Sequence, residues 1–204
     1  EDAVILSNFA AGCVVRKLGT AVVTYDEVKT FYGTEPKTEK HPFYKKCVSL
    51  EEACVVTQAW RQHGLKIGFT NGCFDVLHPG HLSTIQTARK NCDKLIVGLN
   101  TDTSIRTLKG LTRPFQNETV RAEILASLQD VDLIVLFDSY TPKSLIEALQ
   151  PDVLVKGAEY HIEDLAGAQE IIARGGRVIL TDMKKEFSTT RFIEKIQQSQ
   201  QKRA

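Results

Sequence analysis

From Lys66 onward the chain alternates short apolar runs with longer segments of helical periodicity. The runs 66–70, 94–99, 132–137, 153–156 and 177–181 are rich in Val, Ile, Leu and Phe, which predicts strands. The intervening segments 79–91, 118–129, 142–149, 163–174 and 189–199 carry the spacing of amphipathic helices. Helix 118–129 has an apolar stripe of Val120, Ile124, Leu125 and Leu128, and this stripe is expected to face inward. Strands separated by helices imply βαβ units, so the expected architecture is α/β: a doubly wound (Rossmann-like) parallel sheet with helices on both faces. Ligands of such sheets bind outside the carboxyl ends of the strands. The stretches 71–81, 100–113, 157–163 and 182–190 are therefore where chemistry is expected.

The first third reads differently. Residues 3–18 (AVILSNFAAGCVVRKL) form a candidate helix, apolar nearly all round and stopped by Gly19. Residues 30–48 hold prolines, a glycine and many charges without periodicity, the pattern of a linker or irregular segment. Ser49 followed by Glu52 is a capping box that opens a helix through Trp60, stopping near Gly64. The expected division is thus residues 1–30, a linker and helix over 31–64, and the α/β domain over 65–204. The start, Glu1-Asp2-Ala3-Val4, has neither an initiator Met nor the basic and apolar regions of a signal peptide, which suggests a piece of a longer chain.

Composition narrows the class. Of 204 residues, 42% are hydrophobic and 25% charged, which argues against disordered, collagenous and disulfide-scaffold proteins. The 26 Lys and Arg against 25 Asp and Glu leave a net charge of +1, arguing against a broad nucleic-acid surface but leaving room for a local anion site. No run approaches the roughly 18–20 apolar residues of a membrane span, so no membrane partner is expected. Cys13, Cys47, Cys54, Cys73 and Cys92 form no C-x-x-C pair and read as reduced thiols of a cytoplasmic protein.

The informative stretch is Thr70-Asn71-Gly72-Cys73-Phe74-Asp75-Val76-Leu77-His78-Pro79-Gly80-His81, running from a predicted strand into a predicted helix. Pro79 suits the first helical position, which makes His78 the N-cap and sets His81 in the first turn. Both imidazoles then lie at a helix end whose free N–H groups and dipole attract anions. Gly72 and Gly80 let a phosphate approach the backbone closely. This is a polyphosphate site suited to attack on an α-phosphate, with imidazole donors stabilising the growing charge. Taken singly, each histidine reads as a cap or a solvated helix residue; the pair at this spacing favours function. A zinc site fails on ligand count, and neither a P-loop nor a G-x-G-x-x-G is present.

This segment resembles the H-x-G-H signature of the cytidylyltransferase-like nucleotidyltransferase superfamily, and Phe187-Ser188-Thr189-Thr190 resembles its closing S-T-T signature. Further runs resemble the heptose 1-phosphate adenylyltransferase branch, which forms one half of bifunctional heptose kinase/adenylyltransferases. They are Asn100-Thr101-Asp102, Arg106-Thr107-Leu108-Lys109-Gly110, Thr112-Arg113-Pro114, Arg121 and Val155-Lys156-Gly157. The likeness covers roughly residues 66–196. Asn8-Phe9-Ala10-Ala11-Gly12 and Lys17-Leu18-Gly19-Thr20-Ala21 look like the closing helix and strand of a ribokinase-like sugar kinase, without that family's G-A-G-D catalytic turn.

The resemblance implies an enzyme moving AMP from ATP to D-glycero-β-D-manno-heptose 1-phosphate, with Mg²⁺ on the triphosphate and pyrophosphate released. It implies catalytic roles for His78, His81, Lys109 and Arg121. Nucleotide contacts fall to Asn71, Gly72, Cys73, Phe74, Lys156, Gly157, Glu159, Ser188, Thr189 and Thr190. Substrate contacts fall to Asp75, Asp102 and Arg113. Where the family commonly shows Gly-Gly-Asp, this chain has Gly157-Ala158-Glu159. The alternatives are a cytidylyltransferase acting on an alditol or amino-alcohol phosphate, and a non-catalytic nucleotide sensor. A homo-oligomer, most simply a dimer, is expected from the apolar N-terminal helix.

Overall fold

A computed structural model describes residues 45–158 and 160–181, together with Thr24. The expected helices 3–18 and 189–199, the S-T-T segment and Glu159 lie outside these residues. Strand β1 is Cys47–Val48 and helix α1 is Leu50–Gln62. The rest alternates: β2 Ile67–Gly72, α2 Pro79–Lys90, β3 Lys94–Asn100, α3 Asp102–Lys109, α4 Glu118–Ala126, β4 Leu133–Phe137, α5 Lys143–Leu149, β5 Val153–Gly157, a 3-10 turn Ile162–Asp164, α6 Ala168–Ala173 and β6 Arg177–Thr181.

The described strands form one sheet in the order β1-β4-β3-β2-β5-β6, and every pairing is parallel. Strand direction of travel reverses at β2: the chain moves outward through β3 and β4, then returns to the other side as β5. That is the doubly wound arrangement expected from the sequence, with its switch point between β2 and β5. The two strands pair only at Gly68–Val153 and Phe69–Leu154. Beyond that register Thr70, Asn71 and Gly72 part from Val155, Lys156 and Gly157, and a crevice opens.

Period-two alternation divides the core. Along β3, Leu95, Val97 and Leu99 pack with Ile85 and Ala88 of α2 and with Ala122, Leu125 and Ala126 of α4. Ile96 points the other way, into a cluster with Phe69, Leu133, Val135, Ala53 of α1, Ile146 of α5 and Ile171 of α6. Both faces of the sheet are therefore buried, as parallel strands require.

Three elements depart from expectation. Residues 47–48, assigned to the linker, supply an edge strand on β4, while the helix expected from the Ser49–Glu52 capping box forms as α1 and packs on α5. The stretch 100–113, expected as loop, contains α3, started by Thr101, whose hydroxyl accepts from Ser104 N–H. The helix expected over 163–174 is broken at Gly167. Its φ of 83° is left-handed, and a Cβ there would meet Ile146 at 2.6 Å, so the chain turns before α6 begins.

Candidate active site

The chain leaves β2 through a tight turn. Phe74 and Val76 have φ of 46° and 52°, a left-handed conformation that costs non-glycine residues on the order of 1–3 kcal/mol each. Between them Asp75 is only 5% exposed. Its carboxylate accepts from Phe115 N–H at 3.0 and 3.1 Å, Gln116 N–H at 3.1 Å and Arg113 Nη1 at 3.3 Å. Val76 N–H donates to Gln116 Oε1 at 3.3 Å.

Helix α2 then begins as the sequence implies. His78 is the N-cap and Pro79 the first helical residue. The Nδ1 of His78 accepts from Gly80 N–H at 3.1 Å, and the Nδ1 of His81 accepts from His78 N–H at 3.4 Å. A backbone amide can only donate, so both Nδ1 atoms are acceptors. In a neutral ring the proton must then sit on Nε2. The rings stack with centroids 3.8 Å apart, and Phe74 lies 5.1 Å from His81. Burial, followed by the charges of His78 and Lys109, pushes His81 from 6.5 down to about 3, against a smaller upward pull from Asp75. At neutral pH His81 is an uncharged Nε2–H donor.

These groups border a cleft of about 490 Å³ at the carboxyl ends of the strands. Asn71, Gly72, Cys73, Phe74 and Asp75 line it from the end of β2, and His81 from α2. Lys109, the exposed last residue of α3, and Arg113 line a second side. Lys156 and Gly157 line the third. Lys156 is 8% exposed, and its Nζ bridges the crevice to Asn71 O at 2.9 Å and Asn71 Oδ1 at 3.2 Å while lying 4.6 Å from the Tyr160 ring centre. Imidazole, ammonium, guanidinium and amide donors converge here, a set suited to a polyanion. Among the described residues no cluster of three or more metal-ligating side chains occurs.

Two expected contact residues are placed elsewhere. Arg121 is 1% exposed and absent from the cleft wall. Its guanidinium donates to Gln116 O at 2.9 Å, Cys73 O at 2.7 Å, Asn100 O at 2.8 Å and Asp102 Oδ1 at 2.7 Å. Asp102, expected on substrate, is thus engaged by Arg121 and also lies off the cleft wall, while its N–H donates to Glu118 at 2.7 Å. The cause is a rotated helix: α4 buries Arg121, Ala122, Leu125 and Ala126, and Val120 is exposed. His78 does not line the cleft itself; its ring backs His81.

Sequence reasoning missed Tyr140, Thr141 and Pro142 after β4, and Tyr160 and Asp164 after β5, all on the cleft wall. Applying the strand-end rule to β4 as well would have found the first three.

The geometry has counterparts. A family model described as cytidylyltransferase-like matches residues 69–195. The chain belongs to the cytidylyltransferase-like family. Among curated relatives, the bifunctional protein HldE of Caulobacter sp. (strain K31) is 53% identical over 192 residues, covering 94% of this chain and 39% of the relative. HldE of Rhodospirillum rubrum is 50% identical over 191 residues, covering 94% of this chain and 38% of its own length. The chain therefore spans about two fifths of the curated relatives it matches. A solved pantoate-β-alanine ligase from Francisella tularensis shares the fold at TM-score 0.51 and 17% identity, over 71% of this chain and 74% of that one. The matched stretch includes the H-x-G-H segment at the start of α2. Among the described residues no helix is long and apolar enough to cross a membrane.

Proposed function

We propose that this chain transfers AMP from ATP to a heptose 1-phosphate, D-glycero-β-D-manno-heptose 1-phosphate by the resemblance of its motifs, giving ADP-heptose and pyrophosphate for lipopolysaccharide core synthesis. The observation that carries this is the reciprocal cap of His78 and His81 at the start of α2, beside the switch-point crevice. Family membership and the HldE relatives support it.

The sugar phosphate oxygen attacks the α-phosphorus; the new P–O bond forms as the bond to the β-phosphate oxygen breaks, and pyrophosphate leaves with the electron pair. The nucleophile is already anionic, so no strong base is needed. Catalysis is positioning plus charge stabilisation. The Nε2–H of His81, backed by His78, donates to the α-phosphate as charge grows. Lys109 and Arg113 attract the phosphates, and Lys156 with Gly157 and Glu159 borders the nucleotide. Ser188, Thr189 and Thr190 are assigned to phosphate as well. Mg²⁺ enters on the triphosphate, as part of the substrate. Residues 1–30 are read as the closing piece of a ribokinase-like domain, the working form as a cytoplasmic homodimer.

The test is pyrophosphate release by this chain, screened over four nucleoside triphosphates and several sugar 1-phosphates and alditol phosphates. Preference for ATP with the heptose 1-phosphate is expected. Preference for CTP with an alditol or amino-alcohol phosphate would replace this reading, and release from no pair would leave only nucleotide sensing.

A further inference from the structure

We infer that residues 113–121 form a clasp on the strained turn Phe74–Val76, and that Asp75 at its centre positions the histidines and does not bind substrate. The inference rests on the proposed role of His81, backed by His78, at the phosphates.

An acidic residue bordering a sugar-phosphate cleft would ordinarily be assigned to substrate hydroxyls. Its geometry says otherwise. An ionised carboxylate offers about four lone-pair sites. Here Oδ1 accepts from Phe115 N–H and Gln116 N–H, and Oδ2 accepts from Phe115 N–H and Arg113 Nη1. Three donors, with the Phe115 N–H shared between the two oxygens, thus engage both ends of the carboxylate within the protein. All these donors come from one segment, separated from Asp75 by about forty positions and belonging to the connection between α3 and α4.

The same segment grips the turn at both ends. Gln116 Oε1 takes the N–H of Val76, and Arg121 Nη1 takes the carbonyl of Cys73 while Arg121 Nε holds Gln116 O. Cys73, Asp75 and Val76 are therefore each hydrogen-bonded to 113–121. Phe74 instead leans on His81 with its ring. Left-handed φ at Phe74 and at β-branched Val76 persists only where the surroundings over-determine it. Two residues after Val76 the chain reaches His78, so the path of this turn sets where the capped histidines stand. The clasp holds a turn that would otherwise relax, and through it the stacked histidines and the aim of the His81 Nε2–H.

The experiment uses Asp75→Asn and Gln116→Ala in the full chain. Asparagine keeps the size of Asp75 but replaces half of its acceptors with an amide donor. Gln116 lies off the cleft wall, so its truncation touches the clasp alone. The first readout is the ¹⁵N spectrum of the histidine rings without ligand. The His81 ring in the Nε2–H form is expected for the parent chain, with shifted or averaged ring signals in either variant. The second is steady-state kinetics with each substrate varied. Misplacing reacting groups by about 1 Å costs up to about 100-fold. Both variants should therefore lose between about 10- and 100-fold in kcat, with KM for ATP and sugar phosphate within about twofold. A rise in the sugar-phosphate KM of Asp75→Asn, with Gln116→Ala unchanged in kcat and in ring signals, would make Asp75 a substrate ligand and overturn the clasp. Should Asp75→Asn fail to fold, Gln116→Ala decides alone by the same two readouts. If the parent chain turns over no nucleotide, the functional reading fails, and the ring spectra still decide whether the clasp aims the histidines.

Discussion

Replacing Arg121 with alanine should unfold the protein more readily before it does anything specific to catalysis. The guanidinium is wholly buried and gives four hydrogen bonds of 2.7 to 2.9 Å, three to main-chain carbonyls and one to Asp102. Alanine removes every donor and leaves Asp102 without its cation. Breaking a buried ion pair from one side costs about 3–5 kcal/mol, and single hydrogen bonds from charged donors contribute about 1.5–3 kcal/mol each. Water entering the vacated space recovers part of this, so a loss of about 3–5 kcal/mol is the expected scale. For a chain of this size each kcal/mol lowers Tm by about 2–4 °C, giving a fall on the order of 6–20 °C. Arg121→Lys should recover only a fraction, because one ammonium cannot span acceptors lying in several directions. The assay is urea and thermal unfolding of the ligand-free chain by circular dichroism. An Arg121→Ala chain with parental Tm and midpoint, but reduced kcat, would refute the strut and return Arg121 to the phosphates.

Three further outcomes are expected. His78→Ala and His81→Ala should each lower kcat by about 10²-fold, the scale of a lost transition-state donor; pyrophosphate release measured with the fold verified by circular dichroism checks this. His81, held at about 3, should show no titration between pH 5 and 8 by NMR. Because an unfolded histidine takes its proton near 6.5 and the folded one does not, stability should be intact above 6.5 and fall as pH drops from 6.5 toward 3, read as a declining urea midpoint. Lys109→Ala should reduce kcat with every accepted nucleotide while leaving the unfolding midpoint within about 0.5 kcal/mol, as for other exposed positions; a midpoint shift well beyond that would make Lys109 structural.

The sheet was legible because a buried parallel strand announces itself as a short unbroken apolar run, as Leu95–Leu99 and Leu133–Phe137 do. The capped start of α2 was legible because proline, glycine and histidine each have a positional reason there. Arg121 lies away from the cleft wall, where periodicity did not place it, for an equally physical reason. Periodicity finds the face of a helix richest in large apolar groups, and α4 turns its small alanines inward to make room for a guanidinium. Nothing in a single sequence signals that carbonyls of Cys73, Gln116 and Asn100 converge on one point, since these residues are far apart in the chain. The two-residue strand Cys47–Val48 was hidden too: it pairs with β4 at the sheet's edge and is too short to carry a pattern.

The arrangement also explains how histidine can serve in so cationic a place. The proposed triphosphate site needs positive charge, and Lys109, Arg113 and Lys156 stand around one cleft. Burial chiefly opposes a further proton on His81, and the charges of His78 and Lys109 add to it. The reciprocal cap completes the constraint by consuming each Nδ1 as an acceptor. Lysine and arginine therefore carry attraction at long range, while the imidazole keeps a neutral, directed N–H for the short-range contact in which charge develops. A protonated His81 would bind the ground-state phosphate more strongly as well, and binding that is equal in both states lowers KM without raising kcat. In the proposed reaction, keeping the ring neutral reserves its hydrogen bond for the α-phosphate oxygens at the moment they gain charge.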